Sequence, residues 1–224
     1  MEDNSAKEQR SFKDLEQPRR ALDYYMKSLE ALQEQLPGDS QDIANILDYI
    51  GMVYADLNEF EKANEFHVKS MEMRERLFPE ANAEVATSYN NVGLVNVFLK
   101  NIDKALEYHL KALELRKKLL KEDHPEIVTS LDNIGIAHKE NNQLDKSIEC
   151  HEQAFAIKKK SLPEFHPHVA SSLENLAQLY HSTGQKDKAI EYFDKALEQA
   201  QFLLPADHPY LADLTKRVQE IRAQ

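Results

Sequence analysis

Residues 124–165 read HPEIVTSLDNIGIAHKENNQLDKSIECHEQAFAIKKKSLPEF. His124-Pro125-Glu126 has the chemistry of a helix start, because proline's missing N–H costs little in a first turn. Ile127, Val128, Leu131, Ile134 and Ile136 then follow at helical spacing. Asn141-Asn142 closes this helix, since asparagine tolerates the left-handed conformation that follows a helix end. A second helix is expected from about Leu144 to Leu162, with Ile148, Phe155 and Ile157 on its inner side. Lys158, Lys159 and Lys160 sit near its C-terminus, where cations complement the helix dipole. Pro163 prevents easy continuation.

Outward from this stretch the pattern repeats every 42 residues, from Ala21 to Leu211, without an insertion. His124-Pro125 returns as His166-Pro167 and His208-Pro209. Gly51, Gly93, Gly135 and Ala177 share one column; Ala63, Ala105, Ser147 and Ala189 share another. Ser70, Ala112, Ala154 and Ala196 form a third small column. A fixed period of this length means a stacked array, in which each unit buries its apolar stripe only against its neighbours. Glycine inside a helix costs about 1 kcal/mol relative to alanine. The glycine column therefore needs a packing reason, and close approach of the paired helix with its small residues supplies one.

Full units are read at 40–81, 82–123, 124–165 and 166–207. Residues 18–39 form a half repeat, in which Ala21, Tyr25, Ser28 and Pro37 keep the second-helix register. Upstream, Gln9 stands one period before Gly51 and Glu8 before Ile50; only Phe12 and Leu15 keep apolar columns. Residues 1–17 are therefore expected to be a frayed or partial first helix, with 1–10 frayed. Such a start reads as a short isoform, a fragment or a diverged gene. Residues 208–224 read as a capping helix with Leu211, Leu214, Val218 and Ile221 inward. Lys216, Arg217, Glu220 and Arg222 are expected to face water, as a polar cap.

Composition agrees with a nearly all-helical chain. Of 224 residues 42% are apolar and 30% charged, with only 5 Gly and 8 Pro. No apolar run approaches the roughly 18 residues of a membrane span, and the N-terminus has no apolar signal core. Asp and Glu number 39 against 28 Lys and Arg, a formal charge of -11. That balance disfavours nucleic acid, whose affinity rests on cations neutralising phosphates, and anionic membranes. Cys150 is the one cysteine; it shares an apolar column with Tyr24, Phe66, Tyr108 and Tyr192 and reads as a buried thiol. No disulfide framework is possible within one chain, which favours the cytoplasm.

Candidate chemistry is sparse. His67, His109 and His151 share a column, but equivalent atoms of successive packed helices lie about 10 Å apart, while zinc needs ligands near about 2 Å. Tyr25 and Phe193 occupy the same column, so the slot reads as a seat for a large flat side chain. His124, His166 and His208 alternate with Ser40 and Asn82, which is helix-capping chemistry. No Ser-His-Asp order, Walker loop, GxGxxG, HExxH or CxxC is present. Neither catalysis, nor a cofactor, nor a metal is expected.

The columns resemble the tetratricopeptide pattern: Ile50-Gly51, Tyr54, Ala63, His67 and Ser70 in one unit, Leu176-Ala177, Tyr180, Ala189, Phe193 and Ala196 in the last. The usual repeat has about 34 residues; the 42-residue form is similar to repeats of kinesin light chains and nephrocystin-3-like proteins, on the Asn-Asn-Val-Gly-Leu and Glu-Asn-Leu-Ala-Gln helices and the His-Pro boundaries. It covers roughly residues 18 to 213. The resemblance implies an all-α fold, a right-handed α-solenoid of antiparallel helix pairs, whose first helices line a concave groove. It implies a non-enzymatic adaptor that binds a peptide or helix of a partner protein there. The alternative is a structural or oligomerisation segment of a larger repeat assembly.

Groove positions placed by the resemblance are Asn45, Asp48, Tyr49 and Met52; Asn90, Asn91, Leu94 and Phe98; Asp132, Asn133 and Ile136; and Glu174, Asn175 and Gln178. The asparagines at 91, 133 and 175 can hold an extended peptide backbone as donor and acceptor, or pair with neighbouring helices and fix the stacking. Chaperone-binding members clamp a carboxylate with Lys and Arg beside Asn. Those basic positions here hold Asn45, Thr87, Thr129 and Ser171, so that activity is not carried over. Cargo-binding kinesin light chains use basic groove residues that this chain lacks. Acids at Asp48, Asp56, Asp132, Glu140 and Glu174 against Lys139 imply a neutral to basic partner. The expected oligomeric state is a monomer or weak self-association, with no nucleic acid and no membrane.

Overall fold

The structure is a computed structural model describing residues 4–36 and 38–223, with side chains described from residue 16 onward in those ranges. Among the described residues every regular element is a helix. The chain divides into two compact units, Met1–Leu119 and Leu120–Gln224. Unit 1 holds α1 (Asn4–Gln35), α2 (Gln41–Asp56), α3 (Phe60–Leu77), α4 (Ala83–Phe98) and α5 (Ile102–Leu119). Unit 2 holds α6 (Pro125–Glu140), α7 (Leu144–Ser161), α8 (Pro167–Ser182), α9 (Lys186–Leu203) and α10 (Pro209–Ala223). Within each unit consecutive helices pack antiparallel. Asp48 on α2 meets His67 and Arg74 on α3, while the earlier Ala44 meets Ser70. The architecture is an all-α solenoid of helix pairs.

Helix starts and stops fix the phase of every pair. Ser40 Oγ accepts the backbone N–H of Asp42 at 3.2 Å, and Asn82 Oδ1 that of Glu84 at 2.7 Å. In unit 2 the cap is an imidazole: Nδ1 of His124, His166 and His208 accepts from Glu126, His168 and Tyr210 at 3.2, 3.1 and 3.2 Å. Each cap satisfies one otherwise orphaned donor of the first turn. First helices end in a left-handed residue at the same register position: Asn58, Lys100, Asn142 and Gly184, with φ of 58°, 61°, 55° and 74°. For Lys100 that conformation costs about 1 kcal/mol or more. The two-helix reading of 124–165 matches α6 and α7.

The start of the chain differs from expectation. Residues 4–35 form one 32-residue helix with Pro18 inside it, where the sequence reading places a frayed or partial helix before residue 18. Residues 1–3 lie outside the described residues. Two sequence features explain the continuity. Glu16 stands where the other repeats have their left-handed stop, and Glu8 and Gln9 replace the Ile-Gly pair that would hold a first helix against the second.

In unit 1, Leu29 of α1 packs with Ile43, Leu47 and Ile50 of α2, flanked by Tyr54, Phe66 and Met73. In unit 2, Val169, Leu173, Phe193 and Ala196 join Leu211, Leu214, Val218 and Ile221 of α10. The capping face is thus the one the sequence marks. Arg217 departs from its expected place in water, being partly buried against Glu174. Cys150 is half-buried rather than buried, and burial raises its thiol pKa. No described helix is long and apolar enough to cross a membrane.

Candidate partner-binding site

Because the period never slips, Met52, Leu94, Ile136 and Gln178 occupy one register position on α2, α4, α6 and α8. Met52, Leu94 and Ile136 are 52%, 36% and 45% exposed. In unit 1 two more exposed rings lie on the same helices. Tyr49 stacks on Tyr25 with centroids 5.4 Å apart, and Phe98 stacks on Phe60 at 4.7 Å and 2°. Asn175 is exposed; Asn45, Asn91, Asn133 and Gln178 are half-buried.

Beneath this surface runs a polar layer. Asp48 is buried and its Oδ1 lies 2.6 Å from Nδ1 of His67. Arg74 donates to Asp48 Oδ2 at 2.8 Å, to Ser88 Oγ at 2.6 Å and to Asn45 Oδ1 at 2.8 Å, tying α3 to α2 and α4. The amide of Asn91 donates to Asp48 at 3.3 Å. Burial pushes the Asp48 carboxyl up, but the hydrogen bonds and charges of His67 and Arg74 outweigh it and hold it below its ordinary range. Unit 2 carries a copy. Asp132 meets His151 at 3.0 Å, and Lys158 donates to Asp132 at 2.7 Å and to Ser172 at 2.8 Å. There too burial raises the carboxyl and its partners lower it further.

At the end of unit 2 the layer is rebuilt from α10. Ala200 replaces the second-helix cation, and Arg217 donates to Glu174 at 2.7 Å beside the Tyr210 hydroxyl. Arg217 stands in the column of Asn91, and both reach back 43 residues to an acid.

Asp48 and Asn90 are both buried, Asp48 against His67 and Arg74 of the paired helix, and neither presents a surface to solvent. Asp132 and Glu174 are committed to Lys158 and Arg217. Three of the five acids counted toward a basic partner are thus neutralised internally. Asn91 is tied to Asp48 across α4 and α2.

His109 breaks the pattern. It is buried, Asn90 stands where Asp48 and Asp132 stand, and neither ring nitrogen has a hydrogen-bond partner. Burial, then the charge of Arg116, lowers its pKa from 6.5 to about 4. The glycine column is also explained differently from expectation. What fills its space is the imidazole sixteen residues on: a Cβ on Gly51, Gly93 or Gly135 would lie 2.9, 2.7 or 2.7 Å from the ring of His67, His109 or His151. The histidine slot is thus more than a seat for a flat ring, since two of the three imidazoles bind an acid.

The tetratricopeptide-repeat family model matches residues 11–76, 84–160 and 143–201. This chain belongs to that family. Among solved structures, the tetratricopeptide array is similar to BtubC (BKLC) from P. vanneervenii: 16% identical over 94% of this chain and 90% of that one, TM-score 0.70. It is also similar to the nearly identical TPR-like repeats named for kinesin light chain from Podosopora anserina, 18% identical over 83% and 97%, TM-score 0.70. Against aspartyl phosphate phosphatase F from Bacillus subtilis it is 18% identical over 92% of this chain, TM-score 0.73, and spans about half of that protein, 52%. At these identities the likeness is one of fold. No curated protein matches the sequence.

Sequence reading missed Arg74, Lys158, Ser88, Ser172, Tyr210 and Arg217 as parts of the layer. A signal was present: Arg74, Arg116 and Lys158 share a column, as do Ser88, Ser130 and Ser172.

Proposed function

We propose that this tetratricopeptide array is a non-enzymatic adaptor in the cytoplasm. It holds a peptide or helix of a partner protein on the face of its first helices. The column of Met52, Leu94 and Ile136 carries this reading. The fold does not require apolar character there, since Gln178 occupies the same position in α8. Single exposed apolar residues are ordinary; the same exposure held by Met52 and Leu94 in unit 1, and again by Ile136 in unit 2, marks a contact surface on each. Met52 adds an adaptable side chain, and Tyr49 and Phe98 extend the surface in unit 1. In unit 2, a cavity of about 480 Å³ walled by Val128, Thr129, Asp132, Lys158 and Leu162 offers a seat for one partner side chain. Asn175, exposed on α8, contributes a polar contact of the face.

The partner is neutral to basic. Three of the acids are neutralised internally, but α2 and α4 carry no Lys, Arg or His at all. Complementary charge speeds encounter and excludes acidic partners.

The test is a peptide library screened at low and high salt against the wild type and a Met52→Glu, Leu94→Glu, Ile136→Glu variant. Salt-sensitive capture of neutral to basic peptides, lost in the variant, is expected. Capture of acidic peptides, or binding indifferent to the three substitutions, would refute the assignment. The alternative of an oligomerisation segment draws on a different observation, the exposed ring of Tyr24 on α1.

A further inference from the structure

Three of the second helices end in cations. Arg74 and Arg76 lie in the last turn of α3, Arg116, Lys117 and Lys118 in that of α5, and Lys158, Lys159 and Lys160 in that of α7. Cations there complement the negative end of the helix dipole. Two of them also hold an acid. Arg76 donates to Asp39 through Nε and Nη2 at 2.5 and 3.0 Å, and Lys118 donates to Glu114, one turn earlier, at 2.6 Å.

α9 has no cation in its last turn. Phe202 stands in the column of Arg76, Lys118 and Lys160, and Phe165 in the column of Asp39. The two rings stack with centroids 3.9 Å apart and planes at 21°. Phe165 is half-buried, whereas Phe202 is 68% exposed, so the outer face of its ring is open. That exposure belongs to the register and not to the place of α9 in the chain. Arg76 and Lys160, each followed by a further packed helix pair, are exposed as well.

Two neighbours are particular to this repeat. Gln199 is buried; its Nε2 donates to the Glu164 carbonyl at 2.9 Å and its Oε1 accepts the backbone N–H of His166 at 3.2 Å. It thereby clamps the loop that carries Phe165, and its column holds Met73, Leu115 and Ile157 in the other repeats. Glu198 is exposed one turn before Phe202, as Glu114 precedes Lys118, so the acid of that pair is kept and its cation replaced. Lysines lie over Phe66, Tyr108 and Tyr192 on the second helices, at 5.1, 5.0 and 5.3 Å from the ring centres. Phe165 and Phe202 have no Lys or Arg within four residues on either side.

We propose that the Phe165–Phe202 stack and Glu198 form a docking site for an arginine side chain of another protein. The guanidinium lies flat on the open face of Phe202 and donates to the Glu198 carboxylate. It supplies from outside the cation that α3, α5 and α7 carry themselves. Arginine suits the site better than lysine, because its planar group stacks on a ring and pairs with a carboxylate at once. The ring is backed by Phe165 on a clamped loop, so little ordering is left for the moment of binding. The site uses none of the residues of the first-helix face and does not rest on that reading.

Acetylated and amidated Gly-Arg-Gly is the probe, titrated into the full chain while the ring signals of Phe165 and Phe202 are followed by NMR. Saturable shifts at both rings are expected. Affinity should fall about threefold or more for Gly-Lys-Gly, which has the same charge, and for the Phe202→Leu and Glu198→Gln chains, followed at Phe165. Phe202→Lys restores at this register the arrangement of Glu114 and Lys118 and should abolish binding. All these variants change exposed positions and should keep the wild-type melting temperature. Replacing Met52, Leu94 and Ile136 together by alanine should leave the titration unchanged; a loss there overturns the proposal by moving the probe to the first-helix face. Absence of shifts, equal affinity for the lysine peptide or for the Phe202→Leu chain, or a preference for Gly-Glu-Gly overturns it too. So does a wild-type dimer in light scattering that Phe202→Lys dissociates, because a second copy would then cover the ring.

Discussion

His109→Phe is expected to remove an acid sensitivity built into unit 1. In the folded chain the imidazole is buried with both nitrogens unpartnered, and its pKa falls to about 4. In the unfolded chain it titrates near its ordinary value of about 6.5. The folded state therefore favours the neutral ring. Its contribution to stability is complete above about pH 6.5 and is lost as pH falls toward about 4. A gap of about 2.5 between the two pKa values corresponds to about 3 kcal/mol at the acid end of that window. Phenylalanine fits the slot, as Phe193 does in α9, and gives up no hydrogen bond. At pH 7.5 the variant should be as stable as the wild type, or more so, since two unsatisfied buried nitrogens are gone. Between pH 7.5 and 4.5 its loss of stability should be smaller by about 2–3 kcal/mol. Urea denaturation at closely spaced pH values reads this directly. Parallel pH profiles for the two proteins would refute the reasoning, because the ring would then be hydrated or paired.

Gly135→Ala puts a Cβ 2.7 Å from the His151 ring. Overpacking of about 1–3 kcal/mol outweighs the roughly 1 kcal/mol gained in helix propensity, so a net loss is expected in urea melts; an unchanged midpoint would show that the ring turns aside freely. Arg74→Met leaves Asp48 buried without its cation and should cost about 3–5 kcal/mol, a loss that adding Asp48→Asn should largely relieve; failure of that rescue in thermal melts counts against the ion-pair account. Burial first, and then Glu174, push the Tyr210 phenol up to about 12. Glu174→Gln should bring it back toward its ordinary range in an ultraviolet pH titration, and an unmoved transition would assign the shift to burial alone.

Helix limits were legible because caps and stops are local chemistry. His124-Pro125 and Asn142 act on their own backbone, so each reads correctly without a partner in view. The inward faces of α6, α7 and α10 were legible from periodicity. The polar layer was not, because Asp48 reaches Arg74 and Ser88 only once three helices are packed. Along a single helix Asp48 looks like a solvated acid. For the same reason the acid excess of the first helices overstated the charge they present. Glycine was legible as a close approach, but the ring that approaches lies on the next helix, sixteen residues away.

The helix starts divide the chain chemically. Ser40 and Asn82 hold the first turns of α2 and α4 through side-chain oxygen atoms. α6, α8 and α10 each begin on an imidazole whose Nδ1 must lack a proton to accept the backbone N–H. Oxygen and ring nitrogen thus close the same turn at the same register position, 42 residues apart. A serine or asparagine at 124, 166 or 208 would keep the acceptor and give up only the ring.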